Sequence, residues 1–111
     1  MALECSLSAD GNEGSAKFTY EVTNAGEDPI DLQFSDGQEA DLAVEDPDGN
    51  EVWRWSAGRM FAQMLQQKEL GPGETATYEF EWENAATGEY EATATLEATN
   101  ADCDASAAFE V

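Results

Sequence analysis

The chain has 111 residues, with 25 Asp and Glu against four Lys and Arg, a formal net charge of −21 and no histidine. Such a chain is repelled by nucleic acids and anionic membranes, which are bound through Lys and Arg. The missing imidazole removes Ser-His-Asp and Cys-His catalysis and every histidine metal site. A hydrophobic content of 41% still builds one core, so a single domain over residues 1–111 is expected.

Taken in chain order, apolar and polar residues alternate with period two. Leu3, Cys5 and Leu7 form the first run, and Phe18, Tyr20 and Val22 the second. Ile30, Leu32 and Phe34 form the third, followed by Leu42 and Val44, then Val52 to Trp55. Tyr78, Phe80 and Trp82 precede Tyr90, Ala92, Ala94 and Leu96, and Ala105, Ala107, Phe109 and Val111 close the chain. Turn chemistry separates the runs at Asp10-Gly11-Asn12, Asn24-Ala25-Gly26, Asp46-Pro47-Asp48-Gly49, Gly71-Pro72-Gly73 and Thr87-Gly88. Each run shows one face to a core and one to water, as antiparallel sheets do. The pattern predicts an all-β, immunoglobulin-like antiparallel β-sandwich of about seven to eight strands. One segment departs from it. Residues 59–67 are good helix formers, and Met60, Phe61, Met64 and Leu65 share one face of a short helix, so a short helix or loop is expected near residues 58–66.

The acids are spread from Glu4 to Glu110 on the outward half of nearly every run, and the chain has 18 Ala but one Ile. A uniform acidic coat with small apolar residues and little Lys is similar to proteins of salt-accumulating halophiles. Salt shortens the Debye length from about 10 Å at 0.1 M to about 3 Å at 1 M, which screens the self-repulsion. No basic region followed by an apolar run opens the chain, and no stretch approaches a membrane span, so a cytoplasmic location away from membranes is expected.

Trp53 and Trp55 point to one face of a strand and, with Trp82 and Tyr90, are expected in the core. An exposed aromatic platform for a ligand is the alternative for the Trp pair. Arg54, one of four cations, is expected to form an ion pair with a neighbouring strand, with no partner assignable. Cys5 and Cys103 lie in phase with inward residues of the terminal runs. They either bridge, closing a loop across most of the chain, or remain buried thiols. Asp46-Pro47-Asp48-Gly49-Asn50-Glu51 has the oxygen density of a calcium loop but not its spacing, and reads as a hairpin turn. No metal and no cofactor are implied. Paired carboxylates are unavoidable among 25 acids, so they do not argue for an enzyme.

The same residues carry a family likeness. Phe34-Ser35-Asp36-Gly37-Gln38, Asp41-Leu42-Ala43-Val44, Gly49-Asn50-Glu51-Val52-Trp53-Arg54-Trp55-Ser56 and Met60-Phe61-Ala62-Gln63 follow in order. Leu70-Gly71-Pro72-Gly73-Glu74, Trp82 and Gly88-Glu89-Tyr90 come after them. This succession resembles the bacterial intracellular proteinase inhibitor family of the BsuPI type, from about Phe18 to Leu96. Ala40 departs from it, standing where an aromatic is usual, and the tail after Thr99 lies outside the likeness. The resemblance implies an immunoglobulin-like fold and inhibition of an intracellular serine protease; noncovalent occlusion of a subtilisin-like enzyme by a monomer is the form of inhibition expected here. Subtilisin-like pockets favour large apolar residues, which makes Met60, Phe61, Met64 and Leu65, with the adjoining Arg59 of the same loop, the candidate protease contacts. The plainer expectation for Met60, Phe61, Met64 and Leu65 is a helical plug over one end of the sandwich. A domain that binds some other partner through a sheet edge or end loops is the alternative function.

Overall fold

A computed structural model describes residues 2–111, and among these it shows nine strands and no helix. The strands are β1 (Leu3–Asn12), β2 (Ser15–Asn24), β3 (Ile30–Phe34), β4 (Ala40–Glu45), β5 (Glu51–Arg54), β6 (Gln66–Leu70), β7 (Thr75–Glu83), β8 (Glu89–Leu96) and β9 (Asp104–Glu110). They build a β-sandwich from a three-stranded sheet in the order β1-β2-β7 and a four-stranded sheet in the order β5-β4-β8-β9, with β3 and β6 as a separate ribbon. Every pairing is antiparallel.

The alternation decides which face goes inside. On β2, Ala16, Phe18, Tyr20 and Val22 are buried, while Lys17 and Glu21 are exposed. They meet Leu42 and Val44 of β4, Ala92, Ala94 and Leu96 of β8, and Phe80 and Trp82 of β7 in one apolar cluster. Phe18 packs edge-on to Phe109 with ring centroids 5.1 Å apart, and Trp82 edge-on to Tyr90 at 5.0 Å. These are favourable aromatic geometries. All acids except Asp36, Glu39, Asp41 and Asp46 are exposed.

One sequence expectation is corrected and one, open between helix and loop, is resolved. Asp10-Gly11-Asn12 does not turn: β1 runs through it, and the hairpin is Glu13-Gly14, where Gly14 takes a left-handed φ of 80°. Gly11 serves another purpose, since a Cβ there would run into the carbonyl oxygen of Glu110 as β1 and β9 close one side of the sandwich. Of the short helix or loop expected near residues 58–66, the structure shows the loop, up to the start of β6 at Gln66. Gly58 has a left-handed φ of 79° inside the turn in which the Arg59 N–H donates to the Ser56 carbonyl (3.1 Å). The Ala62 carbonyl accepts from Gly37 N–H (2.7 Å), a partner outside any helix. Gln66 and Gln67 then enter β6, opposite Phe34 and Gln33, and supply a ninth strand beyond the expected seven to eight.

The terminal strands are tied covalently. Cys5 on β1 and Cys103 just before β9 form a disulfide with their Cα atoms 6.1 Å apart, and the buried Tyr20 hydroxyl donates to the Cys103 carbonyl.

Candidate functional site

The connection from β5 to β6, residues 55–65, leaves the sandwich at the end away from the β4–β5 turn. Its base is built on a buried carboxylate. Asp41 is 4% exposed, and Leu42 N–H donates to its Oδ1 at 2.8 Å and Ser56 N–H at 3.1 Å. The Ser56 hydroxyl donates to Oδ2 at 2.7 Å and Arg54 Nη1 at 2.9 Å. Burying a carboxylate is costly unless charge and lone pairs are matched, and these four donors match them. Arg54 also grips Glu51 through Nη2 at 2.6 Å. These hydrogen bonds, Glu51 first and Asp41 second, hold the guanidinium charged beyond its ordinary range. Arg54 thus has two acidic partners, one on the adjacent strand and one on its own. The D-x-x-V and W-R-W-S segments meet at this point.

From that base the chain wraps around Trp55. Its backbone N–H donates to the Leu42 carbonyl (2.9 Å), and its ring packs edge-on to Phe80 at 5.1 Å. Arg59 lies over the same ring, with its guanidinium carbon 4.4 Å from the centroid, and donates through Nε to the Trp55 carbonyl at 2.8 Å. Phe61 packs on Trp55 from the loop, with centroids 5.7 Å apart. The next residue, Ala62, is pinned to Gly37. Beneath them lies a cleft of about 290 Å³ lined by Trp55, Phe61, Tyr78, Phe80, Gly37 and Glu39.

The apolar side chains divide. Met60 is 98% exposed, Met64 66% and Leu65 86%, whereas Phe61 is half-buried. Met60, Met64 and Leu65 therefore do not plug the sandwich, because a loop without helical twist places them on the outside. Arg59 is exposed at its surface yet fixed by Trp55.

Of the expected core residues, Trp82 is buried and Trp53, Trp55 and Tyr90 are partly buried against the core. Trp53 stacks on Trp82 at 5.8 Å. Neither Trp53 nor Trp55 reaches the core centre, since β5 is an edge strand and its end lies at the rim. Sequence reasoning meets Asp41 only inside a motif and Asn24 only in a turn, and assigns neither a buried role. Asn24 is fully buried and its amide donates to the Asp28 and Leu70 carbonyls while its Oδ1 accepts from Gly26 N–H, which fixes the ends of β2 and β6 together.

The calcium-like segment is a hairpin turn: Asp46 Oδ1 accepts from Asp48 N–H (3.0 Å) and Asn50 N–H (2.9 Å). The backbone bond to Asn50 leads in holding this carboxyl below its usual range. Among the described residues, no group of three or more Cys, Asp and Glu side chains is placed to hold a metal ion. A shallow depression of about 470 Å³, lined by Pro47, Tyr90, Phe109 and flanking glutamates, lies at the opposite end of the sheet from the 55–65 loop.

A family model described as BsuPI, intracellular proteinase inhibitor, matches residues 3–101. Among solved structures, the chain is similar to a CARDB domain from Pyrococcus furiosus, with 18% identity over 99% of this chain and 94% of that one and a TM-score of 0.55. It is similar to a β-glucosidase from Kluyveromyces marxianus at 12% identity and a TM-score of 0.55, covering 98% of this chain but only 14% of the glucosidase. A sporulation control protein from Bacillus subtilis is similar at 15% identity and a TM-score of 0.53, over 100% of this chain and 49% of that one. At these identities the likeness is one of fold. No curated protein matches the chain.

Proposed function

Because this chain belongs to the BsuPI family of intracellular proteinase inhibitors, we propose that it inhibits a subtilisin-like serine protease by noncovalent occlusion, using the 55–65 loop. One observation carries the reading: three large apolar side chains, Met60, Met64 and Leu65, stand in water on a loop tied down at Ser56, Arg59 and Ala62 and rejoining the fold at Gln66 in β6. Exposed apolar side chains grouped on one loop mark a binding surface. Fixing such a loop before binding lowers the ordering cost that otherwise weakens a complex.

Arg59, Met60, Phe61, Met64 and Leu65 are the proposed contacts. Phe61 acts mainly from below, as the ring that seats the loop on Trp55. The protein acts as a monomer in the cytoplasm of a salt-accumulating cell, where screening relieves the repulsion among its exposed carboxylates.

The test is a titration of the purified protein into subtilisin in molar KCl, followed by peptide hydrolysis. Inhibition reaching completion near one equivalent, with the inhibitor recovered intact, supports the reading. Undiminished hydrolysis at stoichiometric excess, or rapid digestion of the domain, refutes it.

A further inference from the structure

The three exposed apolar side chains of the loop are not held alike. Arg59 and Phe61, the neighbours of Met60 on either side, both rest on the single ring of Trp55, one through a cation–π contact at 4.4 Å and one by aromatic packing at 5.7 Å. Arg59 is further fixed by its Nε bond to the Trp55 carbonyl and its N–H bond to the Ser56 carbonyl. One residue beyond Phe61, the Ala62 carbonyl is held by Gly37. Met60 stands between these anchors with its side chain 98% exposed. Among the described residues, by contrast, no hydrogen bond holds Gln63, Met64 or Leu65 before the chain enters β6. A side chain that fills a deep specificity pocket gains most when the backbone on both sides is already fixed.

We propose that Met60 is the residue that enters the apolar specificity pocket of the protease, and that Trp55 is the positioning residue that holds the backbone on both sides of it. This rests on the inhibitor reading above and assigns the pocket-filling contact to one of its three exposed apolar residues. The pocket it fits takes an unbranched apolar side chain, and the target is thereby separated from proteases that read a basic or a small residue.

The experiment compares wild type with Met60→Lys, Met64→Lys and Leu65→Lys against subtilisin and trypsin in molar KCl. The expected result is that Met60→Lys weakens inhibition of subtilisin about 100-fold, the order that loss of one buried apolar side chain produces. The same variant is expected to become an inhibitor of trypsin. Met64→Lys and Leu65→Lys, at contacts outside the pocket, are expected to weaken inhibition of subtilisin by about tenfold or less and to gain no inhibition of trypsin. If wild type inhibits subtilisin and Met60→Lys inhibits it equally, the Met60 assignment fails while the inhibitor reading stands. If wild type does not inhibit at all, the inhibitor reading itself fails.

The role of Trp55 is read from the cut site. In Trp55→Leu, a loosened loop is expected to be hydrolysed at one bond, Met60–Phe61, with water adding hydroxyl to the Met60 carbonyl carbon and a proton to the Phe61 amine. Mass spectrometry locates the cut, and near-ultraviolet circular dichroism reports whether the fold persists. Arg59→Gln and Phe61→Leu, which weaken the loop's hold on Trp55 while leaving Trp55 itself in place, are expected to show the same single cut. Scattered cleavage in these two variants, or inhibition as long-lived as wild type, overturns the positioning role.

Discussion

Asp41 is the residue on which the loop's base stands, and Asp41→Ala tests how much that base is worth. The carboxylate is 4% exposed and accepts four hydrogen bonds. The substitution leaves the N–H groups of Leu42 and Ser56 without an acceptor, at about 1–3 kcal/mol each. The Arg54 pair adds little, on the order of 1 kcal/mol, because the arginine side chain is 42% exposed and screened by water. Water reaching the Ser56 hydroxyl recovers part of the loss, so a total of about 3–5 kcal/mol is expected, within the range for breaking a buried ion pair. With a urea m-value of about 2 kcal/mol/M, the midpoint falls by about 2 M. The assay is urea unfolding in molar KCl, followed by tryptophan fluorescence. Arg54→Met is expected to cost only about 1 kcal/mol, since Asp41 keeps its other three donors. A loss below about 1 kcal/mol for Asp41→Ala, or a larger loss for Arg54→Met, would refute the reasoning.

Reduction of the Cys5–Cys103 bridge opens a loop spanning 98 residues and is expected to cost up to about 4.7 kcal/mol on the chain-entropy scale. An unchanged melting temperature in excess dithiothreitol would contradict it. The melting temperature is expected to climb steeply with KCl, as screening relieves a net charge of −21. A flat profile from low to molar salt would show that repulsion is not limiting. Burial, followed by the charges of Asp104 and Glu97 for Tyr20 and by the Glu39 bond for Tyr78, raises both phenols well above their ordinary 10.0. The folded state thus holds these protons more tightly. Their contribution is complete below pH 10 and is lost as pH rises toward the folded values. Tyrosinate absorbance from these two residues is expected to appear only together with alkaline unfolding, and both titrating near 10 in a folded protein would contradict it.

Strands with an apolar stripe are legible in the sequence, because one buried face leaves a period-two trace. The sequence Gln66-Gln67-Lys68-Glu69-Leu70 leaves none: it is an edge strand that buries only Leu70, and it pairs by backbone bonds to β3 that no side-chain pattern reports. The 58–66 segment misleads for a related reason. Met, Ala, Gln and Leu favour helix locally, but the left-handed Gly58 and the pinning of Ala62 by Gly37 are tertiary facts that override propensity. Arg54 is legible as one half of an ion pair. Its buried partner depends on a register that sets Ala43 opposite Arg54 and brings Asp41 within reach. Trp55 is legible as an aromatic facing inward, but not as the ring that holds Arg59 and Phe61 together.

The central claim is that the 55–65 loop is the face that meets a protease. Hydrogen exchange of the protein with and without an inactive subtilisin whose nucleophilic serine is replaced by alanine tests it most directly, in molar KCl. Slowed exchange centred on residues 57–65 is the result expected. Unchanged exchange there, with protection instead along the free edge of β7 or at the β4–β5 turn, would contradict it.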